Sequence, residues 1–284
     1  MQSAFSFCFF YLFSRNFQTM SLQHHTDARL RYQQQVDNSR DYVIPFIQQE
    51  FPEMKGLRVM EVGCGEGGVL TPFLEIGCQC VGVDLVPYRI ELATSFLGDY
   101  VSSGQLKLIA KNIYDVDFLG EFRNSFDIII LKDAIEHIPD QEKIVGHMKQ
   151  LLSPRGQIYF GFPPWYMPHG GHQQICANKF LSMVPYIHLL PRPMYKGVLK
   201  AFGEDEPTIK DLMEVKDTGI SIERFERITK RQGYNITQRR FYLINPIYKY
   251  KFGVSAKKQW GPIAAIPYFR DFLTTCVYYM IKPQ

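Results

Sequence analysis

The sequence LRVMEVGCGEGG, residues 57–68, decides the fold. Its first half is a short apolar run with β-branched residues, which is typical of a strand buried in a parallel sheet. Its second half spaces Gly63, Gly65 and Gly68 as G-x-G-x-x-G, the pattern of a loop that brings backbone close to a ligand at the start of a helix. Tight turns use glycine as well, so the pattern is weak by itself. It predicts a ligand at the carboxyl end of the first strand.

Segments typical of strands and of helices alternate around this loop. The predicted strands cover 57–62, 78–85, 106–113, 126–133, 156–162, 234–244 and 272–281, and the predicted helices cover 68–76, 89–103, 142–152 and 221–232. A further helical stretch at 27–49, interrupted by Pro45, predicts a helical N-terminal cap. The alternation predicts an α/β fold with a doubly wound, mostly parallel sheet, in which ligands bind at the carboxyl ends of the strands.

The composition is that of an ordinary globular protein, because 46% of the 284 residues are hydrophobic and 21% are charged. The net charge is +4 and the lysines and arginines are scattered, so nothing indicates a nucleic-acid-binding surface. The six cysteines form neither a Cys-x-x-Cys pair nor a paired framework, which predicts free thiols in a reducing compartment. We therefore expect the protein in the cytoplasm.

The N-terminal residues differ from the rest of the chain. The run AFSFCFFYLF is apolar, too short to cross a bilayer and not preceded by a basic residue. We interpret residues 1–19 as a non-native or disordered extension; a short membrane-contacting tail is the alternative. Residues 20–284 are predicted to form a single domain, with a core at 55–162, a lid inserted after the fifth strand at 163–220 and the C-terminal part of the sheet at 221–284.

Acidic residues at the strand ends indicate which ligand the glycine loop binds. Glu61 lies at the end of the first strand, Asp84 ends the second and Asp133 ends the fourth. A pyrophosphate would face like charges in a partly buried cleft, which disfavours a nicotinamide-dependent oxidoreductase. S-adenosylmethionine carries a sulfonium and an ammonium and no phosphate, so this charge pattern favours it.

Four motifs carry a resemblance to a known family: VMEVGCGEGG at 59–68, VGVDL at 81–85, AKNIYD at 110–115 and FDIIILKDAIEHIPD at 126–140. The chain resembles the class I S-adenosylmethionine-dependent methyltransferases and is similar to the ubiquinone-biosynthesis O-methyltransferase-like group. The resemblance implies a Rossmann-like, seven-stranded sheet whose last strand is antiparallel. It also implies that the glycine loop wraps the amino-acid part of the cofactor, that Asp84 binds the ribose and that Asn112 and Ile113 contact the adenine. The predicted cofactor-binding residues are Glu61, Gly63, Cys64, Gly65, Asp84, Asn112, Ile113, Lys132 and Asp133.

The segment GFPPWYMPHGGHQQ, residues 161–174, leaves the same edge of the sheet and would lie over the transferred methyl group. A histidine can take the proton of a hydroxyl as that hydroxyl attacks the methyl group. We predict His172 as this base ahead of His169, with Gln173 and Gln174 orienting it, and Trp165 and Tyr166 as walls of the acceptor pocket. His169, His172 and Cys176 do not have a standard metal-ligand spacing, so we predict no metal. Glu136 and His137 are interpreted as residues that begin a helix.

These features predict the transfer of a methyl group from S-adenosylmethionine to a small or lipid-like acceptor, at oxygen. The segment 180–203 is apolar with interspersed basic residues, which is typical of two short helices, of a lid over a hydrophobic acceptor or of a peripheral membrane contact. Two alternatives stay open: an S-adenosylmethionine-binding protein without transferase activity and, disfavoured by Glu61, the nicotinamide-dependent oxidoreductase.

Overall fold

The computed structural model describes residues 27–284, so the interpretation of residues 1–19 lies outside the described residues. The strands are β1 Arg58–Val62, β2 Gln79–Asp84, β3 Leu106–Ala110, β4 Phe126–Lys132, β5 Leu152–Phe162, β6 Tyr234–Ile244, β7 Lys257–Lys258 and β8 Cys276–Pro283. They form one sheet in the order β3-β2-β1-β4-β5-β8-β6-β7. Strands β1 to β5 run parallel, and β8 lies antiparallel between β5 and β6.

The predicted fold class is confirmed, with one difference in the number of strands. The sheet has eight strands rather than seven, because the two-residue strand β7 pairs with the end of β6 at the sheet edge. A strand of two residues carries no periodicity that a sequence pattern could reveal. The last strand, β8, is antiparallel as the resemblance implied.

Helices cover both faces of the sheet and the insertion after β5. They are α1 Ala28–Asn38, α2 Ile44–Ile47, α3 Thr71–Ile76, α4 Pro87–Ser102, α5 Val116–Phe122, α6 Gln141–Met148, α7 Lys179–Met183, α8 Arg192–Ala201, α9 Glu206–Thr218, α10 Ile222–Arg231, α11 Tyr248–Phe252, α12 Gly261–Ala264 and α13 Phe269–Phe272. A π-helical turn at Ser39–Val43 separates α1 from α2. Pro45 lies just after that turn and has no N–H to donate to the carbonyl of Asp41, which explains the break predicted there.

The core lies on both faces of the sheet. Met60 and Val62 of β1 belong to the cluster on one face, and Val59 belongs to the cluster on the other. Strands that are covered on both sides read as continuous apolar runs, which is why the sequence predicted β1 to β5. Each fully buried aliphatic or aromatic side chain contributes roughly 1.5–3 kcal/mol through the hydrophobic effect.

The insertion at 163–220 contains a hydrophobic cluster of its own. Its buried members are Cys176, Leu181, Tyr195, Leu199, Ile209, Leu212 and Met213. They come from the stretch just before α7 and from α7, α8 and α9. Helix α9 begins at a cap in which the Asp205 carboxylate accepts a hydrogen bond from Thr208 N at 2.8 Å. The insertion is therefore helical over much of its length, as one interpretation of segment 180–203 expected. The division of the chain into core, lid and C-terminal part stays a prediction.

Helix α13 is tied to the first two turns of α10 by buried and partly buried charges. Arg270 Nε lies 3.0 Å from Glu223 and its Nη2 lies 3.1 Å from Glu226. Both oxygens of the fully buried Asp271 accept from Ile222 N, at 3.2 and 3.3 Å. Burial, with a smaller effect of the Glu223 carboxylate, raises the pKa of Asp271 to about 7.

Asp271 should make the stability of the protein depend on pH. The unfolded chain releases this proton near pH 4, whereas the folded chain keeps it until about pH 7, so stability is lost as the pH rises between these values. We expect Asp271→Asn to remove this loss and to gain on the order of 1–4 kcal/mol relative to the wild type between pH 4 and pH 7. Urea unfolding at several pH values measures it. The exposed Asp211→Asn control should keep the wild-type profile, and an unchanged profile for Asp271→Asn would contradict the prediction.

Candidate active site at the carboxyl edge of the sheet

The glycine loop follows β1 and turns back over the end of β2. Gly63, Gly65 and Gly67 have φ angles of +74°, +51° and +80°, a left-handed backbone that favours glycine. The N–H groups of Gly63 and Cys64 donate to the carbonyl of Val83 at 2.8 and 3.0 Å. A side chain at Gly63 would also lie 3.3 Å from Ala134 Cβ. Backbone thus forms the surface at this edge, as the sequence predicted.

Asp84 fastens this loop to β2. Only 7% of the residue is exposed; its Oδ2 accepts from Gly65 N at 3.0 Å and its Oδ1 accepts from Val86 N at 2.9 Å. Sequence reasoning assigned Asp84 to a ligand alone and missed this structural role. Each carboxylate oxygen has a second lone pair, so the same group can still accept a hydrogen bond from a ligand hydroxyl.

Glu61 is a buried carboxylate at the centre of this edge. It is 2% exposed, and its Oε2 has no hydrogen-bond partner. Burial, reinforced by the charges of Asp84 and Asp133, raises its pKa well above the ordinary value, while Lys132 opposes the rise. A buried carboxyl group without a donor is costly, and a cationic ligand beside it would reduce that cost. The site therefore fits a ligand that carries positive charge, as the ammonium and sulfonium of S-adenosylmethionine do.

Lys132 and Asp133 lie at the end of β4. The Lys132 ammonium is buried and pairs with the Asp133 carboxylate. Asp133 has a left-handed φ of +51°, and its N–H donates to the carbonyl of Gly161 on β5 at 2.7 Å. This residue therefore ends β4 and starts the turn that leads to Glu136 and His137.

The residues predicted to contact adenine lie just beyond β3. Asn112 is exposed, and its Oδ1 accepts from Tyr114 N at 3.0 Å, which makes a local turn. Ile113 is buried, and its carbonyl lies 2.7 Å from His147 Nε2. The side-chain oxygen of Asn112 is thus already engaged once, and its contact with adenine stays a prediction. Cys64 is buried in the glycine loop, and this burial raises the pKa of its thiol.

The two histidines of the loop after β5 are partly buried. Burial lowers the pKa of His169 to about 4 and that of His172 to about 3, the latter also through the nearby His137. His172 has a left-handed φ of +57°, and its N–H donates to the His169 carbonyl at 3.1 Å. The prediction that Gln173 orients His172 is wrong. The Gln173 amide donates to two backbone carbonyls, of Pro168 and Val184, and its oxygen has no partner.

Trp165 and Tyr166 contact different parts of the structure. Trp165 N donates to the Ile220 carbonyl at 2.8 Å, and its ring lies 4.6 Å from the ring of His188. The Tyr166 ring is 37% exposed and lies 5.4 Å from that of Phe272. Trp165 packs within the insertion, and Tyr166 lies nearer the surface. Their contact with an acceptor stays a prediction.

Glu136, His137 and His172 come together between the ends of β4 and β5. Within the described residues 27–284, their ligand atoms form one group of potential metal ligands, all within 4.8 Å of one another. The rings of His137 and His172 are 5.0 Å apart. Cys176, weighed with His169 and His172 as a metal ligand from the sequence, packs instead in the hydrophobic cluster of the insertion.

The profile of a methyltransferase domain matches residues 31–203, more than half of the chain. The chain belongs to the methyltransferase-domain family. The predicted methyltransferase family is thereby confirmed.

Relatives of this methyltransferase include the ubiquinone biosynthesis O-methyltransferase of Leptothrix cholodnii, 28% identical over 40% of this chain and 47% of the relative. The enzyme of the same name from Xanthomonas oryzae is 30% identical over 38% of this chain and 43% of the relative. The matched segment spans about half the length of these curated relatives or less.

Solved structures share the fold at low identity. A putative sarcosine dimethylglycine methyltransferase from Galdieria sulphuraria aligns with a TM-score of 0.53 at 14% identity, over 85% of this chain and 83% of that chain. Phosphoethanolamine N-methyltransferase 2 of Haemonchus contortus aligns with a TM-score of 0.52 at 16% identity, over 85% and 52% of the two chains. At these identities the likeness shows the fold alone.

Two elements distant in sequence lie near the carboxyl edge of the sheet, and sequence reasoning missed both. From α1, Arg31 Nε lies 3.1 Å from Glu66 of the glycine loop, and the hydroxyls of Tyr32 and Thr71 are 3.0 Å apart. From α11, Lys251 is half-buried near Asp133, and burial lowers its pKa. Glu66, the acidic residue inside the glycine motif, is the one local feature of the sequence that indicates a basic partner.

Within residues 27–284, no helix combines the length and the hydropathy that crossing a bilayer requires.

Proposed function

We propose that this methyltransferase transfers the methyl group of S-adenosylmethionine to a hydroxyl group of a small or lipid-like acceptor. The observation that carries the proposal is the position of two partly buried histidines, His169 and His172, in the loop that leaves β5. That loop starts beside β4, whose end bears Lys132 and Asp133. The curated relatives are named as O-methyltransferases, which supports oxygen as the acceptor atom.

The donor side is proposed to use the residues of the sheet edge. S-adenosylmethionine supplies an electrophilic methyl group on its sulfonium, which an in-line nucleophile displaces. The Glu61 carboxylate would face the positive charge of the ligand, and the glycine loop with Gly63, Cys64 and Gly65 would line its amino-acid part. Asp84 would accept from the ribose hydroxyls. The further predicted contacts are those of Asn112 and Ile113 with adenine and of Lys132 and Asp133 with the amino-acid part.

The acceptor side needs a group that receives a proton. A hydroxyl is a weak nucleophile until its proton leaves, and a positioned base contributes about 10²–10⁴-fold in rate. Burial lowers the pKa of both His169 and His172, so both imidazoles are neutral at pH 7, and the same burial makes them weaker bases than an exposed histidine. The proposal assigns proton acceptance to this pair and walls of the pocket to Trp165 and Tyr166.

An apolar surface on the insertion supports a lipid-like acceptor. Phe180, Met183, Met194 and Phe202 are exposed, and the rings of Phe180 and Phe202 stack 5.8 Å apart. Basic side chains lie on the same short helices, namely Lys179 on α7 and Arg192, Lys196 and Lys200 on α8. This combination suits an amphiphilic acceptor, or an acceptor that is presented at a membrane surface.

The test is incubation of the full chain with methyl-labelled S-adenosylmethionine and an extract of its own cells, followed by partition between organic and aqueous phases. We expect label in the organic phase, and its loss with Asp84→Ala. Alkaline hydrolysis and mass spectrometry of the product then identify the methylated atom. Label on nitrogen or carbon would contradict the oxygen assignment. Cofactor binding without transfer into any fraction would overturn the proposed activity and leave a binding protein.

A further inference from the structure

An exposed apolar segment runs from just after the edge strand β7 to the first residue of α13. It covers residues 260–269, WGPIAAIPYF, and is called here the C-terminal apolar segment; none of its ten side chains is charged. Trp260, Ile266, Tyr268 and Phe269 are each between 48% and 67% exposed. Large apolar side chains that are grouped on a surface mark a contact with a protein or a membrane, whereas single exposed apolar residues need no explanation.

Polar contacts hold the C-terminal apolar segment at both ends. Before it, the buried Gln259 donates its N–H to the Phe241 carbonyl at 2.9 Å. After it, the buried Arg270 pairs with two glutamates of α10. Within it, Tyr268 N donates to Glu223 Oε1 at 2.8 Å. The exposed side chains are therefore presented on a fixed backbone, which lowers the entropy that ordering them in a contact would cost.

The charge of the C-terminal region is one-sided. Residues 234–284 contain eight lysines and arginines and one acidic residue, the buried Asp271, so they carry a net charge of +7, whereas residues 1–233 carry −3. Lys257 and Lys258 lie just before the C-terminal apolar segment, and both are exposed. Within residues 27–284, neither of the two ammonium groups pairs with a carboxylate. A basic and apolar surface without acidic side chains is complementary to a membrane that contains anionic lipids.

The C-terminal apolar segment lies at the edge of the sheet that carries the candidate active site. Strand β8 is antiparallel to β5 and β6 is antiparallel to β8, so the end of β6 at Ile244 and the start of β8 at Cys276 lie at the carboxyl ends of β1 to β5. Helix α13 then contacts the loop after β5, where the Phe272 ring lies 5.4 Å from the ring of Tyr166. A membrane docked on the segment would therefore lie beside the proposed acceptor pocket.

We propose that the C-terminal apolar segment, together with Lys257 and Lys258, binds the surface of a membrane that contains anionic lipids. Tryptophan and tyrosine rings suit the level of the lipid headgroups, because one end of each ring is apolar and the other is polar. The two lysines lie beside them, where the lipid phosphates are. Ten residues are too few to cross a bilayer, so the segment lies in the plane of the interface. A second copy of the chain is disfavoured as the partner, because a twofold contact would bring the same lysines together.

Membrane binding is independent of the proposed function, whereas its use rests on that function. A lipid-like acceptor partitions into the bilayer because its apolar part is costly to expose to water. A methyltransferase docked through the carboxyl edge of its sheet receives such an acceptor directly from the bilayer. A short interfacial segment binds reversibly, so the protein exchanges between water and the membrane.

The first test measures the binding of the full chain to vesicles without any acceptor. Vesicles of phosphatidylcholine with about one third phosphatidylglycerol should bind the wild type at least about tenfold more tightly than vesicles of phosphatidylcholine alone. Each lysine near an anionic surface contributes about fivefold, so the double variant Lys257→Gln, Lys258→Gln should lose roughly 25-fold in affinity. Lys55→Gln, Lys230→Gln is the matched control at the amino edge of the sheet and should bind as the wild type does. A wild type that binds neither kind of vesicle, or equal losses for the two double variants, would overturn the proposal.

Tryptophan fluorescence tests whether the C-terminal apolar segment enters the lipid. The chain has two tryptophans, so Trp165→Phe leaves Trp260 as the one tryptophan. Its emission should shift to the blue with anionic vesicles and be quenched by brominated lipids, and unchanged emission of bound protein would refute the contact. Trp260→Ser, Ile266→Ser should weaken vesicle binding at least about tenfold. The control Val116→Ser, which removes an exposed apolar side chain on α5, should not. S-adenosylmethionine binding by each variant reports an intact fold.

Three outcomes separate this proposal from another partner and from the proposed function. If sedimentation without lipid shows a dimer that Trp260→Ser, Ile266→Ser dissociates, the segment binds a second copy and the proposal is wrong. If vesicles bind and no acceptor is methylated, the membrane surface stands and the proposed function fails. If methyl transfer occurs, Lys257→Gln, Lys258→Gln should lose transfer to washed membranes of its own cells but keep transfer to the same membranes dispersed in detergent. Equal transfer to both would refute the presentation of the acceptor at the membrane.

Discussion

Asp84→Asn is expected to weaken the binding of S-adenosylmethionine about 100-fold or more, although it exchanges a single oxygen for nitrogen. Both carboxylate oxygens accept from backbone N–H groups, of Gly65 at 3.0 Å and of Val86 at 2.9 Å. An amide keeps one acceptor and places an N–H₂ group against the other N–H donor. The charge-assisted bonds proposed to the ribose are weakened as well, and each such bond contributes about 1.5–3 kcal/mol. A loss of about 3 kcal/mol corresponds to roughly 100-fold in affinity.

Calorimetric titration with S-adenosylmethionine and with S-adenosylhomocysteine measures this effect. Asp99→Asn, on the exposed surface of α4, makes the same chemical change away from the loop and should bind as the wild type does. If Asp84→Asn binds within threefold of the wild type, Asp84 holds neither the loop nor the ribose. Comparable losses of affinity for both ligands would show that Asp84 contacts a part of the cofactor that both ligands contain.

The donor side of the site could be predicted from the sequence because its determinants are local. Gly63, Gly65 and the acidic residue Asp84 lie within a single strand–loop–helix–strand unit of the sequence. Left-handed φ angles at those glycines follow from the tight turn that such a unit requires. The sheet could be predicted for the same reason, because each strand and each helix has a characteristic hydrophobic periodicity within its own residues.

The acceptor side could not be predicted in the same way, because it is assembled from distant segments. His172 meets Glu136 and His137 only because β4 and β5 are neighbours in the sheet. Sequence reasoning treated Glu136 and His137 as residues that begin a helix, and nothing local to them reveals an unpartnered carboxylate. The contact of Arg31 with Glu66 spans 35 positions and is equally invisible to a periodic pattern.

Gly171→Ala is expected to lower kcat at least about 100-fold while S-adenosylmethionine binds within about twofold of the wild type. A Cβ at Gly171 would lie 2.2 Å from His188 Cβ and 2.6 Å from its Cγ. His188 is fully buried and cannot yield easily, because its Nε2 lies 2.8 Å from the Trp165 carbonyl oxygen and its own carbonyl accepts from Lys216 Nζ at 2.7 Å. The loop must therefore move, and His172 moves with it. A displacement of about 1 Å from the reacting geometry costs on the order of 10²-fold in rate.

Gly197→Ala is the matched control, because it makes the same change in the same insertion. A Cβ at Gly197 meets nothing within 4 Å, and the residue is exposed on α8. Since alanine is the better helix former, this variant should keep its kcat and gain about 0.5–1 kcal/mol of stability. If Gly171→Ala keeps its kcat, the loop tolerates the change and the position of His172 does not control methyl transfer.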